Sequence, residues 1–526
     1  MALLSVQQHL AYYELNSTFY LYVLCFFFSI LFVFKITRRR RRRNNANLPP
    51  CPPRLPLIGN LHQLGTLPHR SLQALSQKYG PLMMLKMGQI PTLVVSSAEV
   101  AREIFKNHDA VFSNRPSVTA AEIYTYGGKD VAFAPYGEEW RQTRKICVLE
   151  LLSMKRVQSF QPIREEEVAE MLDTIRNERK NSSTVNLTKL LIAASNNLNS
   201  RCVFGQKYDT QDGSTASFGE LGRKMLVQFT AFCVGDCFPS LAWVDSIVTR
   251  QIPKFKDTLS SFDVFFDKVI AEHKAKLKMV DDQSTKKDFV DILLQLQEDD
   301  MLDFKLTQDN LKAVIVDMFI GGSDTTSTTL EWAFAELMNS PSAMKKVQEE
   351  VRRVVGNKSV VDENDVKQMN YLKCVLKETL RLHPPVPLLV PRETTSSVKL
   401  RGYDVPTKTR VILNAYAIQR DPEVWDKPDE FLPDRFESSQ VDFKAQEIEF
   451  IAFGSGRRGC PGISFGVTFT TFVLANLLYW FDWKIPRTDG YVENIDMSER
   501  NGITVNKKVP LYLEPVPYTF GSVSQC

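Results

Sequence analysis

The chain has 526 residues, of which 44% are hydrophobic and 24% are charged, a composition typical of a globular protein with a large core. The formal net charge of +4 is small for this length and gives no support to nucleic-acid binding, and a mean hydropathy of −0.19 argues against a polytopic membrane protein. Nine cysteines without a Cys-x-x-Cys pair argue against a zinc ribbon and favour a reducing compartment.

The first predicted element is a single transmembrane helix over Leu15–Phe34, where no residue carries a charge. A helix of this length spans about 30 Å, the thickness of the hydrocarbon core. Lys35 and the run Arg38–Arg43 follow the span, and no lysine or arginine precedes it, so the amino terminus is predicted to be lumenal and the rest cytosolic. A cleaved signal peptide has its positive charges before the apolar stretch, so we expect an uncleaved anchor.

A hinge is predicted after the anchor. The arginine run suits contact with lipid headgroups, and five prolines between Pro49 and Pro56 stiffen the chain into an extended spacer. The predicted division is therefore a lumenal tail and anchor at residues 1–37, a basic and proline-rich hinge at residues 38–60, and a single body at residues 61–526.

The body is predicted to be mainly α-helical with small β-sheets. Apolar side chains recur with a helical period over Ser342–Val355 and Asp365–Leu382. The segments Thr92–Ser97 and Thr409–Ile418 predict strands.

Gly321 and Gly322 interrupt an apolar helical run and are followed by an acid and several hydroxyls. Two interpretations are open. Glycine ends one helix, and Ser323 or Asp324 caps the next. Alternatively, one long helix is locally opened so that a substrate or O2 can approach the backbone, and Asp324 and Thr325 can relay protons.

Glu378 and Arg381 share one face of a predicted helix whose neighbouring side chains are apolar. An exposed pair of this kind would contribute only a few tenths of a kcal/mol. A buried pair requires further hydrogen bonds to offset the cost of desolvation, so burial would call for a third partner elsewhere in the chain.

Cys460 lies in a glycine-rich stretch, Phe453–Gly462, just before a helix that Pro461 is predicted to open. Amide donors and the helix dipole would lower the pKa of a thiol there and stabilise a thiolate. A zinc site would need more ligands nearby, whereas a nucleophilic cysteine would need a histidine base, for which His383 is not excluded by spacing. The other use is as the axial thiolate of a haem iron, with nearby arginines available to the porphyrin carboxylates.

These features resemble the motifs of the cytochrome P-450 haem-thiolate monooxygenases over nearly the whole chain, and most of all those of the plant A-type microsomal branch. The matching residues, in chain order, are Trp140 and Arg144; Gly321, Gly322, Ser323, Asp324 and Thr325; Glu378 and Arg381, with Arg435 as the third partner; and Phe453, Gly456, Arg458, Cys460 and Gly462. The resemblance implies the cytochrome P-450 fold, preceded here by the anchor, and haem b as the cofactor.

The resemblance also implies residue roles. Cys460 would be the axial ligand of the haem iron, and Asp324 and Thr325 would deliver protons to bound oxygen. The implied cofactor-binding set is Cys460, Phe453, Trp140, Arg144, Arg392 and Arg458. The implied structural set, which would lock the proximal side, is Glu378, Arg381 and Arg435.

The implied partners are an NADPH-dependent cytochrome reductase, with cytochrome b5 as a second candidate donor, membrane lipid, O2 and a small hydrophobic substrate, and no nucleic acid. The expected reductase-docking residues are Arg141, Lys145, Arg457 and Arg458. An ordinary solvated surface is an equal alternative for Arg141 and Lys145.

By analogy with the family, substrate contacts are expected in Pro116–Tyr126, around Phe232, at Phe319, Ser323, Val386 and Leu388–Val390, and near Ile503. Their apolar character suits a plant terpenoid, phenylpropanoid or amino-acid-derived aldoxime. The alternatives are a haem-thiolate dehydratase or isomerase that needs no O2, and a non-catalytic haem-binding scaffold. The predicted location is the endoplasmic reticulum membrane, crossed once, with the catalytic domain in the cytosol.

Overall fold

The computed structural model describes residues 22–30, 47–208, 218–279, 287–298, 304–439, 441–443, 447–486 and 494–519. The chain divides into a small unit, Met1–Pro49 with Arg401–Asp404, and a large unit, Pro50–Leu400 with Val405–Cys526. Of the predicted anchor, residues 22–30 are described; they are helical, and their side chains are exposed. The rest of the predicted anchor and the arginine run lie outside the described residues.

Among the described helices, Ile463–Trp480 has the length and composition to cross a bilayer, but 67% of it is buried inside the protein. It is therefore a core helix of the large unit.

The large unit is mainly helical. Its longer α-helices are Pro68–Tyr79, Ala98–Asn107, Thr119–Tyr124, Glu138–Ile146, Met154–Ser159, Gln161–Asn181, Leu187–Phe204, Phe218–Phe229, Gln251–Met279, Phe289–Glu298, Gln308–Asn339, Pro341–Val355, Glu363–Gln368, Asn370–Leu382 and Ile463–Trp480. Short helical turns are Val234–Cys237, Trp243–Ile247 and Ala415–Ile418.

The strands form small sheets. The largest has four strands in the order Leu82–Met87, Ile90–Val95, Arg410–Leu413 and Arg392–Glu393, in which the central pair is parallel and the outer pairs are antiparallel. A second, antiparallel sheet has Tyr512–Pro517 between Val185–Asn186 and Phe481–Lys484. The remaining short strands are Val398–Leu400, Tyr403–Val405, Glu499–Arg500 and Asn506–Lys507. A mainly helical body with minor sheets is thus confirmed.

Two of the four predicted elements keep their identity, since Ile90–Val95 is a strand and Pro341–Val355 is a helix. The predicted strand over Thr409–Ile418 is wrong beyond Leu413, because the Asn414 side chain accepts a hydrogen bond from the amide of Ala417 and starts a helical turn.

The predicted helix Asp365–Leu382 is broken at Met369, which has φ −84° and ψ 90°. The second helix begins there because the amides of Tyr371 and Leu372 donate to the Glu350 carboxylate, each at 2.9 Å. An acid from another helix thus satisfies two of the free amides at the new helix start.

Gln308–Asn339 is one continuous helix, which we call the central helix, so the interpretation with a single long helix is correct. Gly322 packs against the helix Leu187–Phe204, where a Cβ at this position would lie 2.2 Å from Asn199 Oδ1. Two hydroxyl groups that follow the glycines form hydrogen bonds within the helix, since Thr325 Oγ1 donates to Gly321 O at 2.7 Å and Thr329 Oγ1 to Thr325 O at 2.8 Å.

Candidate active site

Cys460 lies at the end of a tight turn. The turn requires glycine at two positions with left-handed backbone, Gly454 and Gly456, both at φ 68°. The amide of Cys460 donates to Phe453 O at 2.9 Å, which closes the loop. The following helix begins at Ile463, two residues later than the predicted start at Pro461.

The Cys460 side chain is exposed and lines a large cavity. Burial raises the pKa of the thiol, while the Gly462 amide, 3.3 Å from Sγ, and the Arg144 charge oppose the increase. The predicted lowering by the helix terminus is therefore wrong in its net direction, because desolvation outweighs those two effects. A bound metal ion deprotonates a coordinating thiol directly, so the sulfur can still act as a thiolate ligand.

The cavity has a volume of about 340 Å3 and lies between the central helix and the cysteine loop. The central helix contributes Gly321, Asp324 and Thr325, and the cysteine loop contributes Phe453 and Cys460. One enclosed space therefore brings together the predicted ligand and the predicted acid–hydroxyl pair. Gly321 faces open space, because a Cβ built on it meets no atom within 4 Å.

Four arginines line the same cavity: Arg115, Arg144, Arg392 and Arg458. Burial lowers the pKa values of all four, and repulsion by neighbouring arginines lowers them further for Arg115, Arg392 and Arg458, to about 10 for Arg392 and about 9 for Arg458. An anionic ligand would relieve that repulsion. The cluster is the strongest electrostatic feature of the site.

Backbone carbonyls hold most of these guanidinium groups. Arg144 Nη2 donates to Gly459 O at 2.6 Å, Arg392 Nη2 to Ser455 O at 2.7 Å, and Arg458 Nε to Ser113 O at 2.9 Å. Arg392 also lies 3.4 Å from the Asp109 carboxylate. Carbonyls orient the guanidinium groups without neutralising them, so positive charge remains available to a ligand.

Sequence reasoning missed Arg115, which is 8% exposed. It donates from Nε to Ala132 O at 2.8 Å and from Nη1 to Val390 O at 2.6 Å. Its one sequence signal is its position directly before the segment Pro116–Tyr126, which is expected to contact the substrate.

Trp140 lies behind the arginines and does not line the cavity. Its indole Nε1 donates to Val131 O at 3.0 Å, and its ring lies 4.0 Å from the Arg458 guanidinium carbon and 5.6 Å from that of Arg144. Its observed contacts support those two side chains through cation–π interactions.

Asp324 is tied to the carboxy-terminal part of the chain. Thr504 Oγ1 donates to its Oδ2, and the Asn506 side chain forms a second hydrogen bond with it. Burial raises the pKa of Asp324, and these two bonds oppose the increase. Thr504 was not identified from the sequence, and it adjoins Ile503, which lines the cavity.

Glu378, Arg381 and Arg435 form one buried network. Arg381 binds Glu378 with two bonds, of 2.7 and 2.8 Å, and Arg435 Nε lies 3.0 Å from the same carboxylate. Further donors and acceptors come from the backbone: Leu432 N to Glu378 at 2.9 Å, and Arg381 to Gln419 O at 2.9 Å. The required third partner is therefore present: one carboxylate binds both guanidinium groups, and backbone carbonyls accept their other hydrogen bonds.

The substrate contacts expected by analogy separate into two groups. Residues at the cavity wall are Thr125 from the segment Pro116–Tyr126, Val386, Leu389, Val390 and Ile503. Phe229 brings the region around Phe232 to the wall, and the other expected positions do not line the cavity. Phe232 is 59% exposed, Phe319 packs in the core beside Phe204, Ser323 is buried facing the helix of Ser195, and Leu388 packs in a separate core cluster.

Not all of the expected reductase-docking residues lie at the surface. Arg141, Lys145 and Arg457 are exposed. Arg458 is 7% exposed and was wrongly assigned to this surface, because its guanidinium turns inward to backbone carbonyls and the Trp140 ring. Arg141 is paired with Glu138, and Arg457 lies 3.0 Å from Asp109.

The site fits haem b. It offers one sulfur in a cavity, unneutralised cations for two carboxylates, and an enclosed volume with mostly apolar walls. A mainly helical fold with such a centre defines the class of haem-thiolate proteins.

The chain belongs to the cytochrome P450 family, which matches residues 49–513, and to its plant A-type branch. It is 53% identical over 503 residues to a phenylacetaldehyde oxime monooxygenase of Prunus mume, with 94% of each chain covered. It is 48% identical over 490 residues to a desmethylyatein synthase of Sinopodophyllum hexandrum, covering 93% of this chain and 97% of that one. A zebra fish cytochrome P450 structure with abiraterone superposes with a TM-score of 0.69 at 26% identity, covering 86% of this chain and all of that one.

The protein is therefore a cytochrome P450 monooxygenase with haem b as its cofactor. Its reaction requires O2, an organic substrate and electrons from a reductase partner.

Proposed function

We propose that this monooxygenase oxidises a small hydrophobic plant metabolite, with an arylalkyl aldoxime as the first candidate and terpenoids and phenylpropanoids as the others. The observation that carries the proposal is the cavity, in which Cys460 shares an apolar chamber with Asp324 and Thr325. The enzyme acts as a membrane protein of the endoplasmic reticulum, held by the anchor at residues 15–34, with its catalytic body, residues 61–526, in the cytosol.

The walls of the chamber favour an aromatic substrate. Phe133 and Phe229 stack with ring centroids 5.6 Å apart, and both line the cavity. Leu226, Val386 and Ile503 add aliphatic surface. Such walls bind an aryl group by dispersion and desolvation, whereas the hydroxyl and carboxyl groups are concentrated along the central helix and at Thr504.

The relatives support an aldoxime as the first candidate without limiting the enzyme to it. The Prunus mume relative is named for phenylacetaldehyde oxime, while another relative, 44% identical over 501 residues, is a strychnine-11-hydroxylase of Strychnos nux-vomica. An oxime is a small polar group on an apolar body, which matches a chamber with few polar groups.

Haem b held by Cys460 supplies the activation of O2 and the oxidising power. Arg115, Arg144, Arg392 and Arg458 hold its two propionates, and Trp140 supports two of these arginines from behind. Phe453 forms part of the pocket beside the sulfur. The buried network of Glu378 keeps the proximal side rigid.

The proton supply is assigned to Asp324 and Thr325. Because burial raises its pKa, the Asp324 carboxyl retains a proton more readily than an exposed aspartate does. Thr504 orients that carboxyl through its hydroxyl group. The Thr325 hydroxyl, now bonded to Gly321 O, lies at the cavity wall and passes the proton on when it turns from that carbonyl.

The electron donor docks at the exposed cations Arg141, Lys145 and Arg457, which lie in or beside the elements that hold Arg144 and Cys460. An NADPH-dependent cytochrome reductase on the same membrane face is the main donor, with cytochrome b5 as an accessory donor. Contact between the arginine run and lipid headgroups keeps the enzyme and its donor at one surface.

The test is a substrate-binding screen followed by turnover. Phenylacetaldehyde oxime, a monoterpene alcohol and a cinnamic-acid derivative are titrated into the ferric holoenzyme, and the change in the haem absorption spectrum is recorded. A compound that binds is then incubated with reductase in the presence or absence of NADPH and O2.

We expect product only when both NADPH and O2 are supplied. Product in their absence would establish a dehydratase or isomerase instead. Binding of every compound without any turnover, with reduced haem formed normally, would favour a haem-binding scaffold. The matched variants are Thr325→Ala, expected to consume NADPH without equivalent product, and Thr325→Ser, which keeps the hydroxyl group.

A further inference from the structure

Two carboxyl groups beside the arginine cluster have no part in the proposed reaction. Asp130 is fully buried just before the helix of Trp140. Asp317 lies on the central helix and lines the cavity. The Asp130 carboxyl group lies near enough to Asp317 to raise the pKa of that group.

Asp130 Oδ1 is buried and has no hydrogen-bond partner in the described part of the chain. A hydrogen bond between the two carboxyl groups would satisfy this atom, and such a bond requires a proton, because two ionised carboxylates have only acceptors to offer each other. Burial raises the pKa of both groups, and the neighbouring charge of Asp130 raises that of Asp317 further. Backbone amides and the charges of Arg115 and Arg458 act in the opposite direction on the pair. If the two carboxyl groups share one proton, one group is neutral, as burial favours, and the other is ionised, as the amides and arginines favour.

The remaining carboxyl oxygens clamp one short segment of backbone, residues 131–133. Asp317 Oδ2 accepts from the amides of Val131 at 2.7 Å and Ala132 at 3.2 Å. Asp130 Oδ2 accepts from the amide of Phe133 at 2.7 Å. Three consecutive amides are thus fixed by the pair.

The carbonyls of the same segment and of the next residue hold the cofactor-side groups. Val131 O accepts from Trp140 Nε1 at 3.0 Å and from Arg458 Nη1 at 3.2 Å. Ala132 O accepts from Arg115 Nε at 2.8 Å, and Arg458 Nη2 donates to the carbonyl of residue 134. The backbone therefore has the carboxyl pair on its amide side and two arginines and a tryptophan on its carbonyl side.

We propose that Asp130 and Asp317, sharing one proton, are positioning residues that fix residues 131–133 and thereby set Arg115, Arg458 and Trp140 for the haem propionates. The inference rests on the proposed role of these arginines. It also gives the pair a defined charge of −1 beside two guanidinium groups. The other titratable group facing the pair is Cys147, a buried thiol whose raised pKa keeps it neutral.

The test compares single and double amide variants in the full-length holoenzyme. In Asp130→Asn or Asp317→Asn, the new amide N–H replaces the shared proton, and the charge of −1 stays on the partner. The double variant loses the charge and has two amide groups that do not reproduce the original pairing. The main readout is the rate of haem transfer to excess apomyoglobin, and the second is the midpoint potential of the haem iron.

We expect each single variant to release haem within about twofold of the wild-type rate. The double variant should release it about tenfold faster or more, because its buried hydrogen bonds are disrupted. The potential of the double variant should rise, because a negative charge near the iron has been removed. An infrared band of a protonated carboxyl group should be lost in each single variant. This measurement does not need the double variant, so it can be made even if the double variant does not fold.

The proposal is overturned if a single variant loses haem as fast as the double variant, if the double variant matches the wild type, or if the infrared band persists in both single variants. Arg115→Met separates this result from the underlying assignment. If Arg115→Met accelerates haem loss while the double aspartate variant does not, the inference fails and the arginine assignment stands. If Arg115→Met has no effect on haem loss, the propionate assignment of Arg115 fails first.

Discussion

Two sets of arginines in the described part of the protein differ in the groups that hold them. Around Glu378, a single carboxylate meets Arg381 and Arg435, and every contact is made within the chain. Around the cavity, four arginines are held mainly by carbonyls, and Asp109 is the acid that contacts Arg392. The first arrangement is complete as folded, whereas the second gains stability from an anionic ligand.

This contrast separates residues that maintain the fold from residues that bind the cofactor. Loss of a member of the first set should lower the free energy of unfolding. Loss of a member of the second set should mainly weaken the retention of haem.

The largest expected effect is that of Glu378→Ala. It leaves two arginines buried without their counter-ion and should lower the free energy of unfolding by about 3–5 kcal/mol, measured by denaturant titration. The control is Glu349→Gln, which removes an exposed pair with Lys345 at 3.8 Å and should cost less than about 1 kcal/mol. Equal effects would show that the Glu378 network is not structural.

A smaller loss of stability but a clear loss of haem is expected for Arg392→Met. Removing a buried cation from the cluster should increase haem release by about tenfold or more, since hydrogen bonds to charged groups contribute about 1.5–3 kcal/mol. The matched control is Arg420→Met, because Arg420 is also buried but packs on Tyr416, with its guanidinium carbon 3.8 Å from the ring centroid. Haem release in the control should match the wild type. If both variants release haem alike, the cavity cluster has no special role.

Thr504→Val should have little effect on the free energy of unfolding or on haem retention. Without the hydroxyl that orients Asp324, the fraction of NADPH converted to product should fall by about threefold to tenfold, with a matching rise in hydrogen peroxide. Thr504→Ser retains the hydroxyl and should restore the wild-type ratio. Unchanged coupling in the valine variant would contradict the role given to Thr504.

A further effect is expected only in acid. Burial alone would raise the pKa of Glu499, but hydrogen bonds from His69 and Arg70 outweigh it and lower the pKa to about 2. A carboxyl whose folded pKa lies below its unfolded value of about 4.5 stabilises the protein above pH 4.5, and this contribution is lost as the pH falls toward 2. Glu499→Gln should therefore flatten the decline of unfolding free energy over that window. An unchanged slope would mean that the pair with Arg70 is not coupled to folding.

The Glu378 network could be predicted from the sequence better than the cavity cluster. Glu378 and Arg381 lie one helical turn apart, and their apolar neighbours indicate burial, so the need for a third partner follows from the pattern. Arg115 has no such pattern, because its acceptors lie at residue 132 and, 275 positions away in the chain, at Val390. Arg458 was misplaced for a similar reason, since Ser113 O lies 345 positions from it.

Rules that consider only neighbouring residues in the sequence also failed where a distant part of the chain determines the local structure. The break at Met369 depends on Glu350, which lies on a different helix, and no periodicity within Asp365–Leu382 reveals it. The net pKa direction of Cys460 depends on how deeply the folded loop is enclosed, and the presence of amides at a helix start does not determine it.

The two adjacent glycines of the central helix differ in their freedom to change. Residue 322 is fixed by the neighbouring helix, whereas a methyl group at residue 321 would project into empty space in the chamber. The shape of the chamber can therefore be altered at one position without disturbing the helix pair that supports it. Gly321→Ala is the natural first step toward narrowing the range of compounds that the enzyme accepts.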